Sequence, residues 1–345
     1  MKTISKLTPA IGATAIDRPL PTCGKDEVMI KVLATSICGT DVHIYDFNPW
    51  AQSRIKTPQI MGHELAGKVI QVGSAVDSPK IGDIVACETH IVCGTCEFCL
   101  NDQKHLCRNT QILGVDRDGA FAEYVVMPAV NCWISDPKVD PAYLCIQEPL
   151  GNAIHTVASG EVKGKTVAIV GVGPIGLMAV DVAKAMGATW VVAVDVNDYR
   201  LNLAKDIGAD LAINAKTDDP VKTILDLTDQ YGVDVVCEMS GNPRALTSAF
   251  SYLKKGGRMS ILGLPDGPVS IDINNAIVFK GITIHGITGR RMMQTWALGQ
   301  QLIDSGSLHL DRIVTHILPF DDYETGFKLM HEGRCGKVVL RVAED

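Results

Sequence analysis

Residues 165–176 read KTVAIVGVGPIG, an apolar run closed by glycines at 171, 173 and 176, and a helical period begins at once in PIGLMAVDVAKAMGA. A strand that turns into a helix through three glycines leaves few folds open. The first glycine permits the tight turn, the second lets backbone approach a ligand, and the third lets helix and strand pack closely. The helix then presents free N–H groups and the positive end of its dipole, a ready seat for a pyrophosphate. Gly171, Gly173 and Gly176 therefore predict the first βα unit of a dinucleotide-binding sheet. Asp195 ends the next apolar run, 19 residues after Gly176. A carboxylate there accepts hydrogen bonds from both hydroxyls of an adenosine ribose and repels a 2′-phosphate, so NAD is expected over NADP. Arg200 stands close enough to stack on adenine or touch the ribose.

The rest of this half repeats the pattern. Apolar segments 190–196, 211–214, 233–241, 257–263 and 282–287 alternate with helical periods, each ending near a glycine. Strand–helix alternation with almost uninterrupted apolar strands predicts an α/β, doubly wound parallel sheet covered on both faces. The first 150 residues differ. Segments 27–34, 67–76, 81–92 and 119–134 are β-rich and broken by Gly and Pro, predicting an irregular barrel or sandwich. At 345 residues the chain exceeds what one core accommodates, so two domains are expected: 1–150 and 151–288, with a segment 289–345 that starts helical and ends as strand.

Charge and hydropathy exclude several classes of partner. A net charge of −7 argues against nucleic acid and anionic membrane surfaces. No apolar run reaches the ~18 residues of a membrane span. The N-terminal MKTISKLTPAIGATAIDRPLP lacks the apolar stretch of an export signal, so a cytoplasmic location is expected.

Eleven cysteines are many for a reducing compartment. Four of them, Cys93, Cys96, Cys99 and Cys107, fall within fifteen residues in CGTCEFCLNDQKHLC. Four thiolates satisfy tetrahedral zinc and leave no open position, so a structural site within a lobe of about 90–110 is expected. An iron–sulfur cluster also takes four cysteines, but its bacterial run has a different third gap and ends in Cys-Pro. A second set is dispersed: Cys38 in SICGTDVHIYD, His63 and Glu64 in MGHELAG, and Glu148 in IQEPLGNAIHT. Thiolate, imidazole and carboxylate together would leave a coordination position for water or substrate, as catalytic zinc requires. Each also has a plain reading, as core thiol, core histidine, surface charge or helix-start carboxylate, and spacing alone does not choose.

GHELAGKVIQVGSAV places Gly62, His63, Glu64, Gly67, Gly73 and Val76 in the pattern G-H-E-x2-G-x5-G-x2-V. In this the chain resembles the zinc-containing medium-chain dehydrogenases, and the four-cysteine lobe and glycine turn follow in that family's order. CGTDVHIYDFNPWAQ, HLCRNTQILGV, PLGNAIHT, DVNDYRL and GITGRRMMQTW resemble its threonine-oxidising branch. The resemblance implies a GroES-like β-rich catalytic domain, a Rossmann coenzyme domain, a C-terminal segment returning to the first domain, and a homotetramer. It implies two zinc ions per subunit and oxidation of the 3-hydroxyl of L-threonine by NAD. Carried over by motif, Cys38, His63 and Glu64 become catalytic-zinc ligands, Thr40 and His43 a proton relay, and Glu148 an acidic residue beside the metal. Ile175, Asp195, Arg200, Leu262, Gly263, Leu264, Gly286 and Ile287 become coenzyme contacts. His90 and Arg290 are candidates for the ammonium and carboxylate of an amino-acid substrate, with Trp50 closing the pocket. Two rival readings remain: the same chemistry on a polyol or 2,3-butanediol, and a non-catalytic NAD sensor on the same scaffold.

Overall fold

The computed structural model describes residues 1–344, which fall into two compact units. The first comprises Met1–Pro149, Val314–Glu332 and the chain from Lys337 onward. Its organising element is the Glu27–Ile37 strand, EVMIKVLATSI, buried along nearly its whole length. On one edge it pairs antiparallel with Glu64–Val72. Its other edge is shared, with Tyr124–Pro128 against Glu27–Lys31 and Lys337–Arg341 against Ala34–Ile37. A strand covered on both edges and both faces has no use for alternation, which is why it reads as an apolar run. Val28, Ile30, Val32, Leu65, Val69 and Val85 form the core beneath it. Every registered pair around this strand is antiparallel, and among the described residues the only parallel pair of the sheet is Val314–Pro319 with Lys337–Arg341.

The second unit comprises Leu150–Ile313 and Gly333–Gly336. Its sheet is wholly parallel, in the order 211–214, 190–195, 166–170, 233–238, 253–261, 283–286. With strands numbered along the chain this is 3-2-1-4-5-6, the doubly wound order of dinucleotide-binding domains. Helix starts follow local chemistry. Asn197, Asp219 and Asn242 each accept a hydrogen bond from a backbone N–H of the first turn, and Pro174, Pro220 and Pro243 open their helices.

Two boundaries differ from expectation. The second unit runs on to Ile313 rather than ending at 288, carrying the Gln294–Asp304 helix with it. Trp296 of that helix is buried and Gly299 lies against Ile154, so its packing belongs to this unit. Only from Val314 does the chain rejoin the first unit. The helical period expected to run up to the 257–263 strand stops at Tyr252, and Leu253–Ile261 is strand from its first residue. Leu253 pairs with Val233, so sheet register takes those residues from the helix.

Candidate active site

In the first unit the Glu27–Ile37 strand ends where Cys38 begins the Gly39–Asp46 helix. The Cys38 N–H donates to Asp41 Oδ2 at 3.0 Å, a capping contact that fixes the turn. Asp41 is fully buried, and its Oδ1 accepts from the Gly62 N–H at 3.2 Å and faces His63 Nδ1 at 3.6 Å. Gly62 sits at φ +86° with the Phe121 ring where a Cβ would stand, so only glycine turns the chain into His63 here.

Ligand atoms of Cys38, His63 and Glu64 all lie within 4.8 Å of one another. Glu64 Oε1 is buried with no hydrogen-bond partner, while His63 Nδ1, also unbonded, is the ring nitrogen turned toward Asp41. Buried polar atoms left unpaired are costly, and a cation among them removes the cost. Thiolate, imidazole and carboxylate form a donor set suited to zinc. The other Glu64 oxygen is held: Oε2 accepts from the Ser36 hydroxyl and pairs with the Lys337 ammonium. Lys337 is 1 % exposed and also donates to the Ile37 carbonyl at 3.0 Å. Burial works against its charge, but Glu64 and Cys38 outweigh that and hold its pKa above the ordinary lysine value. Glu148 opens the Gln147–Val157 helix and is also buried. Its Oε1 accepts from Thr89 Oγ1 at 3.0 Å, and it is not part of the three-residue ligand group.

Thr40 and His43 lie three residues apart on the same helix, hence on one face. His43 is exposed, with Nδ1 2.9 Å from the Asn48 amide nitrogen and its ring edge-on to Trp50. His90 is half-buried, its backbone N–H on Glu88 Oε1. Sequence reasoning missed Ser36, Asp41, Thr89 and Lys337. Asp41 carried a signal, an acid three residues after the start of a helix; a lysine opening the apolar run VVL was a second.

The four cysteines of the lobe also converge. Sulfur separations are 3.5 Å for Cys96–Cys99 and Cys93–Cys107, and 4.0 Å for Cys93–Cys99. The Thr95 and Cys96 N–H groups pull the Cys93 thiol down to about 5, while burial and its sulfur neighbours push Cys99 up to about 12. Four sulfurs at this spacing cannot all ionise without a cation among them, so the cluster fits a closed zinc site.

In the second unit the expected coenzyme residues gather at the carboxyl ends of the parallel strands. Gly171 has φ +86°, and a Cβ on Gly176 would stand 2.0 Å from the Gly171 carbonyl. Gly173 faces open space, its nearest neighbour being Arg200 Nη1 at 3.9 Å. Arg200 Nε is buried without a partner. An open glycine turn with an unsatisfied guanidinium nitrogen beside it fits a bound pyrophosphate and ribose. Asp195 ends its strand and accepts from the Val172, Val196 and Asn197 N–H groups at 2.7, 2.7 and 3.0 Å. Ile175 lies in the first turn of the helix; Leu262 and Gly263 hang from the Glu238 carbonyl, Leu264 is exposed, and Gly286 and Ile287 close the last strand. Arg290 is 1 % exposed, its stem against Gly151 and its Nη1 on Asn152 Oδ1 at 3.2 Å.

Known proteins place this geometry. Residues 24–136 match the alcohol dehydrogenase GroES-like domain and residues 174–305 the zinc-binding dehydrogenase family. An L-threonine 3-dehydrogenase of Caldanaerobacter subterraneus is 54 % identical over 95 % of both chains. One of Bacillus velezensis is 52 % identical over 99 % of this chain and 98 % of its own. Among solved structures, an Escherichia coli alcohol dehydrogenase complexed with NADH superposes with a TM-score of 0.91, at 29 % identity over 99 % of each chain. The chain belongs to the zinc-containing medium-chain dehydrogenases, in the L-threonine 3-dehydrogenase family.

Proposed function

We propose that the protein oxidises the 3-hydroxyl of L-threonine with NAD+, giving L-2-amino-3-oxobutanoate and NADH. The observation that carries this is the Cys38–His63–Glu64 group with its orphaned buried Glu64 oxygen, in a chain that also carries the glycine turn and Asp195. The first unit holds the catalytic and structural metal residues, and the second holds the coenzyme residues. When bound, zinc lowers the cost of ionising the substrate hydroxyl and NAD+ accepts the hydride from C3.

The chain's own groups do the rest. Cys38, His63 and Glu64 would hold the catalytic ion, and Cys93, Cys96, Cys99 and Cys107 the structural one. Asp41 orients the imidazole of His63 from behind, while Ser36 and Lys337 fix one oxygen of Glu64. The Thr40 hydroxyl, donor and acceptor at once, takes the substrate proton, and His43 receives it and faces solvent. Glu148, held by Thr89, adds negative charge that favours a cationic site and the substrate ammonium. Asp195 selects the unphosphorylated ribose and Arg200 stacks on the adenine or touches that ribose, with Gly171, Gly173, Ile175, Gly176, Leu262, Gly263, Leu264, Gly286 and Ile287 lining the coenzyme seat. Eleven free cysteines suit a cytoplasmic setting, and no described helix is long and apolar enough to cross a membrane. The subunits assemble as a homotetramer in this reading, supported by the edge strand Thr283–Gly286 and the exposed Val278 and Phe279 beside it.

Incubation with NAD+ and, separately, L-threonine, sorbitol and 2,3-butanediol tests the reading. NADH is expected to form fastest with L-threonine. Faster turnover of either diol would assign the chain to polyol chemistry, and no turnover with any would leave a coenzyme-binding sensor.

A further inference from the structure

The turn after the Gly39–Asp46 helix carries a device that neither the metal nor the coenzyme motifs account for. Phe47 sits in the left-handed region (φ 51°), and the chain doubles back so that the N–H groups of Phe47 and Asn48 donate to the Ile44 and His43 carbonyls. This brings the Asn48 side chain to the Nδ1 edge of the His43 ring. Asn48 also caps the next helix, Pro49–Arg54: its Oδ1 accepts from the Ala51 N–H at 3.0 Å.

That cap settles which way the amide points. An N–H needs an oxygen, so Oδ1 faces Ala51 and the NH2 must be the group 2.9 Å from His43 Nδ1. An amide NH2 only donates, so Nδ1 accepts and the neutral ring carries its proton on Nε2. A doubly protonated ring would set two donors face to face. The charged groups nearby are engaged elsewhere: Asp41 with the Cys38 and Gly62 N–H groups, Asp46 with His331 at 2.9 Å, and Arg54 with Asp116 at 2.7 and 2.8 Å.

We propose that Asn48 is a positioning residue that holds His43 neutral in its Nε2–H tautomer, so that a proton taken up by His43 costs the Asn48 hydrogen bond and is passed on to solvent rather than kept. The functional part rests on the relay described above; the tautomer does not. The proton enters at Nδ1, the one ring nitrogen with a free lone pair, and leaves to solvent from that same nitrogen. The Nε2–H ring and its Asn48 bond are thereby restored, and no bond other than N–H and O–H is made or broken.

Asn48→Asp tests this cleanly, because aspartate caps a helix as well as asparagine does. Ring-nitrogen NMR of the zinc-loaded protein is expected to show His43 with protonated Nε2 and bare Nδ1 in the native chain, and with protonated Nδ1 in N48D. At neutral pH, N48D should lower turnover about tenfold, since its carboxylate favours the charged ring, and should lower it no further in a His43→Ala background. A native ring with protonated Nδ1, or a pattern that N48D leaves unaltered, overturns the proposal. An inverted pattern with unchanged turnover upholds the tautomer and refutes the relay. Asn48→Ala, which loses the cap as well, separates helix capping from the ring effect.

Discussion

Lys337 and Glu64 form an ion pair in which both side chains are at most 1 % exposed. The metal site draws on that pair, because the oxygen it restrains leaves the other one aimed at Cys38 and His63. Removing one partner of a buried pair leaves an uncompensated charge, at a cost of about 3–5 kcal/mol. Lys337→Met, close in volume, is therefore expected to lower the denaturant midpoint of the zinc-loaded protein markedly and to reduce zinc retention on dialysis. An unchanged midpoint would show that the pair does not constrain Glu64. In the proposed relay Thr40 would act by its hydroxyl alone, so Thr40→Val, nearly the same shape, should lower turnover by roughly a hundredfold. NAD affinity and zinc content should stay the same, and unchanged turnover would exclude Thr40 from the proton path.

At the level of single elements, the site was legible wherever chemistry is encoded by short spacing. The glycine turn, the four-cysteine lobe and Gly62-His63-Glu64 are each complete within fifteen residues, and the structure gathers each set. What spacing could not reveal is supplied by strand pairing. Ser36 stands opposite Glu64, and Val338 opposite Ile37, so three strands bring Lys337 to Glu64 although Lys337 is 300 residues along the chain from Ile37. Periodicity shows that a strand exists but not its neighbours, and side-chain partners across strands follow from neighbours. The glycine turn yields the prediction proper to this scale. Gly176→Ala places a methyl 2.0 Å from the Gly171 carbonyl and must spread the turn. NAD binding, followed by fluorescence titration, should weaken at least tenfold, or about 1.4 kcal/mol, while both zinc ions remain bound. Equal loss of zinc would mean that the substitution unfolds more than the coenzyme seat.

For the whole molecule, two units of different construction divide the labour. One is a mostly antiparallel sheet built around a single buried strand, the other a parallel sheet in the order 3-2-1-4-5-6. The change of pattern near residue 150 was visible in the sequence because a parallel sheet needs apolar strands alternating with helices, whereas the antiparallel pairing of the first unit needs no such alternation. The return of the chain to the first unit was implied by the family resemblance, but its starting point at Val314 was not visible. The Gln294–Asp304 helix is equally amphipathic wherever it packs, and only its contacts with the second unit decide its place. The central claim for this molecule is hydride transfer from C3 of L-threonine to NAD+. L-Threonine deuterated at C3 and incubated with NAD+ and the zinc-loaded protein measures it directly. The account predicts one NADH for each threonine consumed, carrying the deuterium, whereas NADH without deuterium, or inert threonine beside active turnover of a diol, would contradict it.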